Sequence, residues 1–339
     1  MNGPSLVIRA DANSDIGFGH VMRCLALAQA WRAGTGGPVT FVSRPLPRPI
    51  AQRIDDEQFT TETIQCNTGT PQDAAELSRL LHNTQALVID GYGFDEQYFQ
   101  TIQQCNVPVL VVDDYLRLKH YDADLLLNQN PGVDPSSYVG RCTGELLLGL
   151  DYILLRSEII QAAASNTGDQ TPRHLLVTLG GFDPDHVTQR IIDAIGMLSD
   201  ENLSVTLVSS QTSLQTHDPR IRLVPFANDM AELYRWADVA ICAGGSSNWE
   251  MSWFGLPRLL MVLAENQSGI ARELDRLGCG WCIGWHENVS SADIATSLQR
   301  LLQQDLTAMR RANLELLDGR GAQRVVQRLL ECTRARPEN

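Results

Sequence analysis

The strongest constraint on the fold is a series of short apolar runs that alternate with helical patterns. In the first half they predict strands at residues 6–9, 39–42, 86–90, 109–113 and 125–128. A second series predicts strands at residues 174–179, 204–208, 222–224, 239–242 and 258–262. Continuous apolar runs are typical of parallel strands that helices cover on both faces. The chain is therefore predicted to be α/β, with two doubly wound domains.

The length of 339 residues supports this division, because single cores rarely exceed about 250–300 residues. A polar stretch at residues 165–172 separates the two series. We expect domains at residues 1–165 and 172–320, followed by a helix and tail at residues 321–339. The two domains are expected to face a cleft, because ligands of such sheets bind at the carboxyl ends of the strands.

Composition excludes several function classes. The net charge of −13 is unlike a nucleic-acid-binding surface, which needs clustered Lys and Arg. No apolar run approaches the roughly 20 residues of a membrane-spanning helix, and no signal peptide is visible, so a cytoplasmic protein without a membrane partner is predicted. The eight cysteines are scattered, and Cys279 and Cys282 are interpreted as buried strand cysteines rather than a metal or redox pair.

A glycine loop follows the first predicted strand, in the sequence Ile-Gly-Phe-Gly-His-Val-Met-Arg at residues 16–23. Gly17 and Gly19 allow positive φ and close approach of a ligand, and the following helix offers free N–H groups. His20 lies on the first helical turn. A dinucleotide fingerprint would need glycine where Met22 stands, so NAD is disfavoured and no cofactor is predicted.

Two loops of the second half also place glycines between a predicted strand and a predicted helix. One places Gly180 and Gly181 after a predicted strand, with Asp183 and Pro184 as an expected helix start. The other predicts a donor-rich phosphate nest, followed within one helical turn by Glu250, which is suited to accept two ribose hydroxyls. The residues of this nest are Gly244, Gly245, Ser246 and Ser247.

The motifs in series resemble those of the UDP-sugar hydrolases of pseudaminic acid biosynthesis. These enzymes release UDP from UDP-2,4-diacetamido-2,4,6-trideoxy-β-L-altropyranose and are similar to the GT-B glycosyltransferases. The matching segments are residues 9–11, 16–23, 89–92, 112–114, 127–130, 148–149, 155–156, 179–181, 243–250 and 263–267.

The resemblance implies a GT-B fold in which the first domain binds the sugar and the second binds UDP. It implies that His20 is catalytic and that Tyr92 contacts the sugar, although Gly91 stands where some relatives have histidine. The other substrate contacts that it implies are Gly17, Gly19, Arg23, Asn128, Gly180, Gly181, Gly244, Gly245, Ser246, Ser247, Glu250, Glu265, Asn266 and Gln267.

The expected chemistry is simple because a diphosphate is already a good leaving group. One base and an anion site suffice, unlike the two carboxylates of an ordinary glycosidase. His20 suits the base, Asp11 is a candidate to orient it, and Arg23 is a candidate to add positive charge from the opposite domain. Asp113 and Asp114 lack the spacing of a metal-binding Asp-x-Asp motif, so no metal requirement is expected.

Two alternatives remain open from the sequence. The first alternative to the hydrolase is a GT-B glycosyltransferase that moves the sugar to an acceptor hydroxyl. A non-catalytic sugar-nucleotide-binding protein is the second alternative, although a histidine in the glycine loop disfavours it. The expected partner is a small-molecule UDP-sugar, and a monomer is favoured.

Overall fold

The computed structural model describes residues 3–13, 16–162, 172–180, 183–211, 213–225, 227 and 229–335. It separates into two compact units. Domain 1 comprises Met1–Ser157 and Gly319–Asn339, and domain 2 comprises Glu158–Asp318. The predicted linker at residues 165–172 lies almost wholly outside the described residues.

Domain 1 is built on a seven-stranded parallel sheet in the order β3-β2-β1-β4-β5-β6-β7. Its strands are β1 Leu6–Ala10, β2 Val39–Ser43, β3 Thr60–Thr63, β4 Ala86–Asp90, β5 Val109–Val112, β6 Leu125–Asn128 and β7 Glu145–Leu148. Its helices are α1 Gly19–Thr35, α2 Arg48–Asp56, α3 Pro71–Leu80, α4 Glu96–Gln103 and the C-terminal helix α12 Gly321–Ala335.

Domain 2 contains a six-stranded parallel sheet in the order β10-β9-β8-β11-β12-β13. Its strands are β8 His174–Thr178, β9 Ser204–Val208, β10 Ile221–Val224, β11 Val239–Ala243, β12 Arg258–Val262 and β13 Trp281–Trp285. Its helices are α6 Val187–Gly196, α7 Met230–Trp236, α8 Ser247–Trp253, α9 Glu265–Arg276, α10 Ser291–Gln303 and α11 Thr307–Leu314. A short helix, α5 Ser157–Gln161, spans the boundary between the two domains.

The predicted α/β class is confirmed, and all ten predicted strands are present with ends shifted by at most one residue. The three strands that the sequence missed, β3, β7 and β13, all lie at sheet edges. An edge strand pairs on one side only and needs no continuous apolar run. β3 is the polar sequence Thr-Thr-Glu-Thr, and β13 contains Gly284 next to a register shift in its pairing.

The C-terminal helix α12 completes the core of domain 1. Its buried face packs against α1, with Val325 and Leu329 in the same apolar cluster as Leu25 and Ala28. α3 and α4 cover a second apolar cluster that includes Phe99. The sheet therefore has buried side chains on both faces, as its continuous apolar strands require.

The start of α6 corrects one prediction. A helix was expected to start at Asp183 and Pro184, but Asp185 and His186 have φ of 52° and 55°, in the left-handed region. The helix begins at Val187 after a 3-10 turn, Pro184–His186. Asp183 still serves as a cap, because its carboxylate accepts a hydrogen bond from the N–H of Thr188 at 3.2 Å.

Candidate active site

The glycine loop of domain 1 positions a histidine at the carboxyl end of β1. Gly17 has φ of 74°, a conformation that side chains other than glycine rarely adopt, and it forms a bridge with Asn13. Gly19 opens α1, and His20 is the next residue. The side chain of His20 is buried, with 6% of its surface exposed.

His20 is oriented by Asp90, the last residue of β4. Nδ1 of the ring lies 2.7 Å from Oδ1 of Asp90. Because an ionised carboxylate only accepts hydrogen bonds, Nδ1 carries the proton and Nε2 of a neutral ring is left as the acceptor. Within the described residues, no group hydrogen-bonds Nε2 of His20. The ring is thus held in the tautomer that a general base needs.

Asp11 does not have the predicted orienting role. Its carboxylate accepts hydrogen bonds from Nη1 of Arg9 at 2.7 Å, the N–H of Arg44 at 2.8 Å and Oγ1 of Thr68 at 2.7 Å. These contacts use the carboxylate to fix the loops beside β1. Asp90 takes the place beside His20 because β4 pairs with β1, and Ala10 and Asp90 are register partners.

Arg23, one turn after His20, bridges two carboxylates. Its Nε and Nη2 donate to Asp90 at 2.6 and 2.7 Å, and its Nη1 and Nη2 donate to Asp114 at 2.7 and 3.0 Å. The guanidinium is therefore fully engaged within domain 1. The expectation that Arg23 supplies positive charge to a diphosphate is not supported by these contacts.

The two carboxylates of this cluster have lowered pKa values. Burial alone would raise the pKa of Asp90, but the charges of Arg23 and His20 outweigh it and hold that pKa well below its usual range. Burial would also raise the pKa of Asp114, but the charge of Arg23 outweighs burial and lowers that pKa. Two carboxylates against one guanidinium leave one net negative charge beside His20.

Two tyrosines extend this cluster. The hydroxyl of Tyr92 donates to Oδ2 of Asp114 at 2.5 Å, and its ring meets the ring of His20 edge to face, with centroids 4.6 Å apart. Burial and then Asp114 raise the pKa of Tyr92, which keeps it a donor. Tyr115 packs against Tyr92 with centroids 5.4 Å apart and is about half exposed. Tyr115 was not predicted from the sequence.

Asn128, a predicted substrate contact, has intramolecular partners outside this cluster. It is 1% exposed; its Nδ2 donates to the hydroxyl of Tyr138 and its Oδ1 accepts from the N–H of Asn130. Asp113 is similarly occupied, by the hydroxyls of Tyr121 and Tyr138. Both side chains serve packing at the ends of β5 and β6.

In domain 2, the loop after β11 presents free backbone donors. None of the hydrogen bonds among the described residues uses the N–H of Gly244, Gly245, Ser246 or Ser247. The loop is fixed by Asn248, whose Nδ2 donates to the carbonyl oxygens of Ala243 at 2.7 Å and Gly245 at 2.8 Å. Asn248 is fully buried and was not singled out from the sequence.

The two glycines of this loop differ in what surrounds them. A Cβ on Gly244 would lie 2.8 Å from the carbonyl oxygen of Gln267, so glycine is required there for packing. A Cβ on Gly245 would meet nothing within 4 Å. Gly245 is therefore free of intramolecular constraint and open to an approaching ligand.

The remaining predicted contacts of domain 2 lie at the starts of helices. Glu250 is partly buried on α8, and its Oε2 accepts a hydrogen bond from the hydroxyl of Tyr234 at 3.0 Å. Glu265 and Asn266 open α9, and Gln267 accepts from the N–H of Leu263 at 3.0 Å. Gly180 has φ of 85° at the end of β8, whereas Gly181 lies outside the described residues.

The model of the glycosyltransferase family 28 C-terminal domain matches residues 159–328, half of the chain. The chain belongs to this family. The match covers nearly all of domain 2 and reaches α12. No helix in the described part of this family 28 chain is long and apolar enough to cross a membrane.

Two curated proteins are among those similar to this family 28 chain. It is 27% identical over 188 residues to the spore coat polysaccharide biosynthesis protein SpsG of Bacillus subtilis, covering 52% of this chain and 56% of that protein. It is 27% identical over 217 residues to the UDP-2,4-diacetamido-2,4,6-trideoxy-β-L-altropyranose hydrolase of Campylobacter jejuni, covering 62% of this chain and 72% of that enzyme. The chain thus spans little more than half the length of the first of these relatives.

Among solved structures, the crystal structure of Acinetobacter baumannii MurG matches the family 28 chain with a TM-score of 0.65 at 16% identity. The match covers 97% of this chain and 99% of MurG. The predicted GT-B fold is confirmed.

Proposed function

We propose that this protein hydrolyses a UDP-linked diacetamido-trideoxy hexose to the free sugar and UDP, as in pseudaminic acid biosynthesis. The observation that carries the proposal is the buried pair of His20 and Asp90, with Nε2 of His20 left as an acceptor. The likeness to the Campylobacter hydrolase supports the choice of substrate.

In the proposed mechanism, Nε2 of His20 takes a proton from water as that water attacks the anomeric carbon. Asp90 holds the ring through Nδ1, and the net negative charge of Asp90, Asp114 and Arg23 stabilises the imidazolium. The leaving diphosphate needs no strong general acid, which accords with a single base. Attack opposite the leaving group inverts the configuration.

Domain 2 supplies leaving-group recognition in this proposal. The free N–H groups of residues 244–247 bind the diphosphate, and such preorganised donors contribute about 3 kcal/mol each where charge develops. Glu250 accepts the ribose hydroxyls, with Tyr234 fixing its second oxygen. No metal is required for this mode of binding.

Glycosyl transfer is the second candidate function, and the family to which the chain belongs favours it. The same base would then deprotonate an acceptor hydroxyl instead of water. Release of UDP from the UDP-sugar in the absence of any acceptor separates the two functions. UDP release that depends on an added acceptor would establish the transferase.

The decisive experiment is hydrolysis in H₂¹⁸O by the wild-type protein and by His20→Asn. We expect the label in the sugar and none in UDP, because water attacks carbon. His20→Asn should lose roughly 10²–10⁴ in kcat, the scale of general-base catalysis. The matched control is His174→Asn, on a half-exposed histidine paired with Asp238. Label in UDP, or near-wild-type turnover by His20→Asn, would refute the mechanism.

A further inference from the structure

Three ligand-type side chains from two separate segments of domain 2 converge near the start of α6. Asp185 comes from the 3-10 turn before α6, and His286 and Glu287 come from the 3-10 turn His286–Asn288 after β13. One donor atom from each of the three lies within 4.8 Å of the others. His286 is only 4% exposed.

One ring nitrogen of His286 lacks a hydrogen-bond partner among the described residues. Its Nδ1 is buried and makes no hydrogen bond within the described part of the chain. The atom lies 3.7 Å from Oδ2 of Asp185, which is too far for a hydrogen bond. Leaving a buried ring nitrogen unpaired costs free energy, so an atom between these two groups would be stabilising.

The separation of the two atoms fits a metal cation between them. Zinc bonds to histidine nitrogen and carboxylate oxygen are about 2.1 Å long, and two such bonds at about 110–125° place the donors about 3.4–3.7 Å apart. One imidazole with two carboxylates is a donor set that suits Zn²⁺ and Co²⁺. The fourth position would be taken by water.

The surrounding contacts hold the two segments in place without the cation. Nη1 of Arg190, on α6, donates to the carbonyl oxygens of His286 at 2.7 Å and Val289 at 3.0 Å. α6 also packs along α10, the helix that follows this turn. The donors are therefore presented by a preformed framework rather than by two independent loops.

We infer that Asp185, His286 and Glu287 bind one divalent transition-metal cation, of which Zn²⁺ is the best match. The cation would join the start of α6 to the end of β13. It belongs to domain 2 and takes no part in the chemistry proposed for His20. The inference therefore stands or fails independently of the proposed hydrolysis.

The test is titration of the full-length, metal-stripped protein with Zn²⁺ by calorimetry and with Co²⁺ by visible absorption. We expect one equivalent to bind. Asp185→Asn should weaken binding at least about 10-fold, as should Glu287→Gln, because each replaces a charged carboxylate ligand with a neutral amide. The Asp185 side chain is 70% exposed and asparagine tolerates the left-handed region, so this variant should fold even if His286→Asn does not.

Two controls locate the cation. His174→Asn should bind as tightly as the wild type, because His174 is paired with Asp238 elsewhere in domain 2. Trp285 stacks beside His286 with ring centroids 5.9 Å apart, so Co²⁺ should quench its fluorescence. Trp285→Phe should lose that quenching yet still bind.

The inference is overturned if the wild type takes up no stoichiometric Zn²⁺ or Co²⁺. It is equally overturned if Asp185→Asn binds like the wild type, or if His174→Asn is weakened as much as Asp185→Asn.

Discussion

At the level of single residues, Asp90 and Asp11 are expected to have different roles: Asp90 acts through His20 and Asp11 does not. Asp90→Asn should lower kcat by roughly 10²–10⁴, because an amide neither fixes the tautomer of His20 nor stabilises its imidazolium. UDP binding should be unchanged. The measurement is steady-state UDP release, together with circular dichroism, because Asp90 also binds Arg23.

Asp11→Asn is the matched control for this prediction. It removes an equally buried carboxylate of the same domain, but one whose hydrogen bonds go to Arg9, Arg44 and Thr68. Turnover by the folded variant should stay near that of the wild type. An equal loss of kcat in both variants would show that the two carboxylates act through stability and not through His20.

The pair of His20 and Asp90 shows which parts of the site could be predicted from the sequence. His20 was found because its signal is local: a strand, two glycines and a helix start within fifteen residues. Its partner Asp90 is 70 residues away and becomes a neighbour only because β4 pairs with β1. Asp11 is nearer to His20 in sequence, but strand order decides which carboxylate reaches the ring.

At the scale of secondary-structure elements, the loop between β11 and α8 gives a paired test. Gly245→Val should weaken UDP binding more than the roughly 1–3 kcal/mol expected from Glu250→Ala, because its side chain enters only the space left for the ligand. Its melting temperature should match the wild type. Isothermal titration with UDP and thermal denaturation measure the two effects.

Gly244→Ala should behave in the opposite way. Its Cβ would meet the backbone of Gln267, so the expected effect is a lower melting temperature. UDP affinity that is unchanged in Gly245→Val would remove the loop from the proposed diphosphate site.

Elements with a continuous apolar run or a strong helical pattern were predictable, whereas those fixed by their surroundings were not. The edge strand β3 escaped because it is polar and pairing, not composition, makes it a strand. β7 has only three apolar residues, at positions 146–148, and β13 is interrupted by Gly284. The left-handed pair Asp185 and His186 escaped because a helical pattern of side chains carries no information on local backbone strain.

At the scale of the whole molecule, the C-terminal helix should decide whether domain 1 folds. Ending the chain at residue 318 removes the buried Val325, Val326 and Leu329 from the core. Burial of such side chains contributes about 1.5–3 kcal/mol each, so the loss is roughly 5–9 kcal/mol, comparable with the whole stability of a domain.

We therefore expect residues 158–318 to fold alone and residues 1–318 to show a single cooperative transition, from domain 2. Calorimetry of these two chains beside the full-length protein provides the measurement. Two intact transitions in residues 1–318 would show that α12 is dispensable.

Acid should destabilise domain 1. The folded-state pKa values of Asp11, Asp90 and Asp114, all in domain 1, are lowered, since their partners, chiefly Arg9 and Arg23, outweigh the effect of burial. The unfolded chain, with a pKa of about 3.9 for Asp, then binds protons first as pH falls. The stabilisation is complete above about pH 5 and is lost progressively below it.

Urea denaturation between pH 7 and pH 3 measures this effect. The midpoint for domain 1 should fall steeply below pH 4. A midpoint for domain 1 that does not change over this range would contradict the prediction.

The chain enters domain 2 at residue 158 and returns to domain 1 only at residue 319. On the ribosome, every residue of domain 2 has therefore been synthesised before α12 exists. The α12-binding side of α1 therefore stays uncovered until residues 321–335 have been made. We expect domain 2 to complete its fold before domain 1, the reverse of the usual order in which the N-terminal domain folds first.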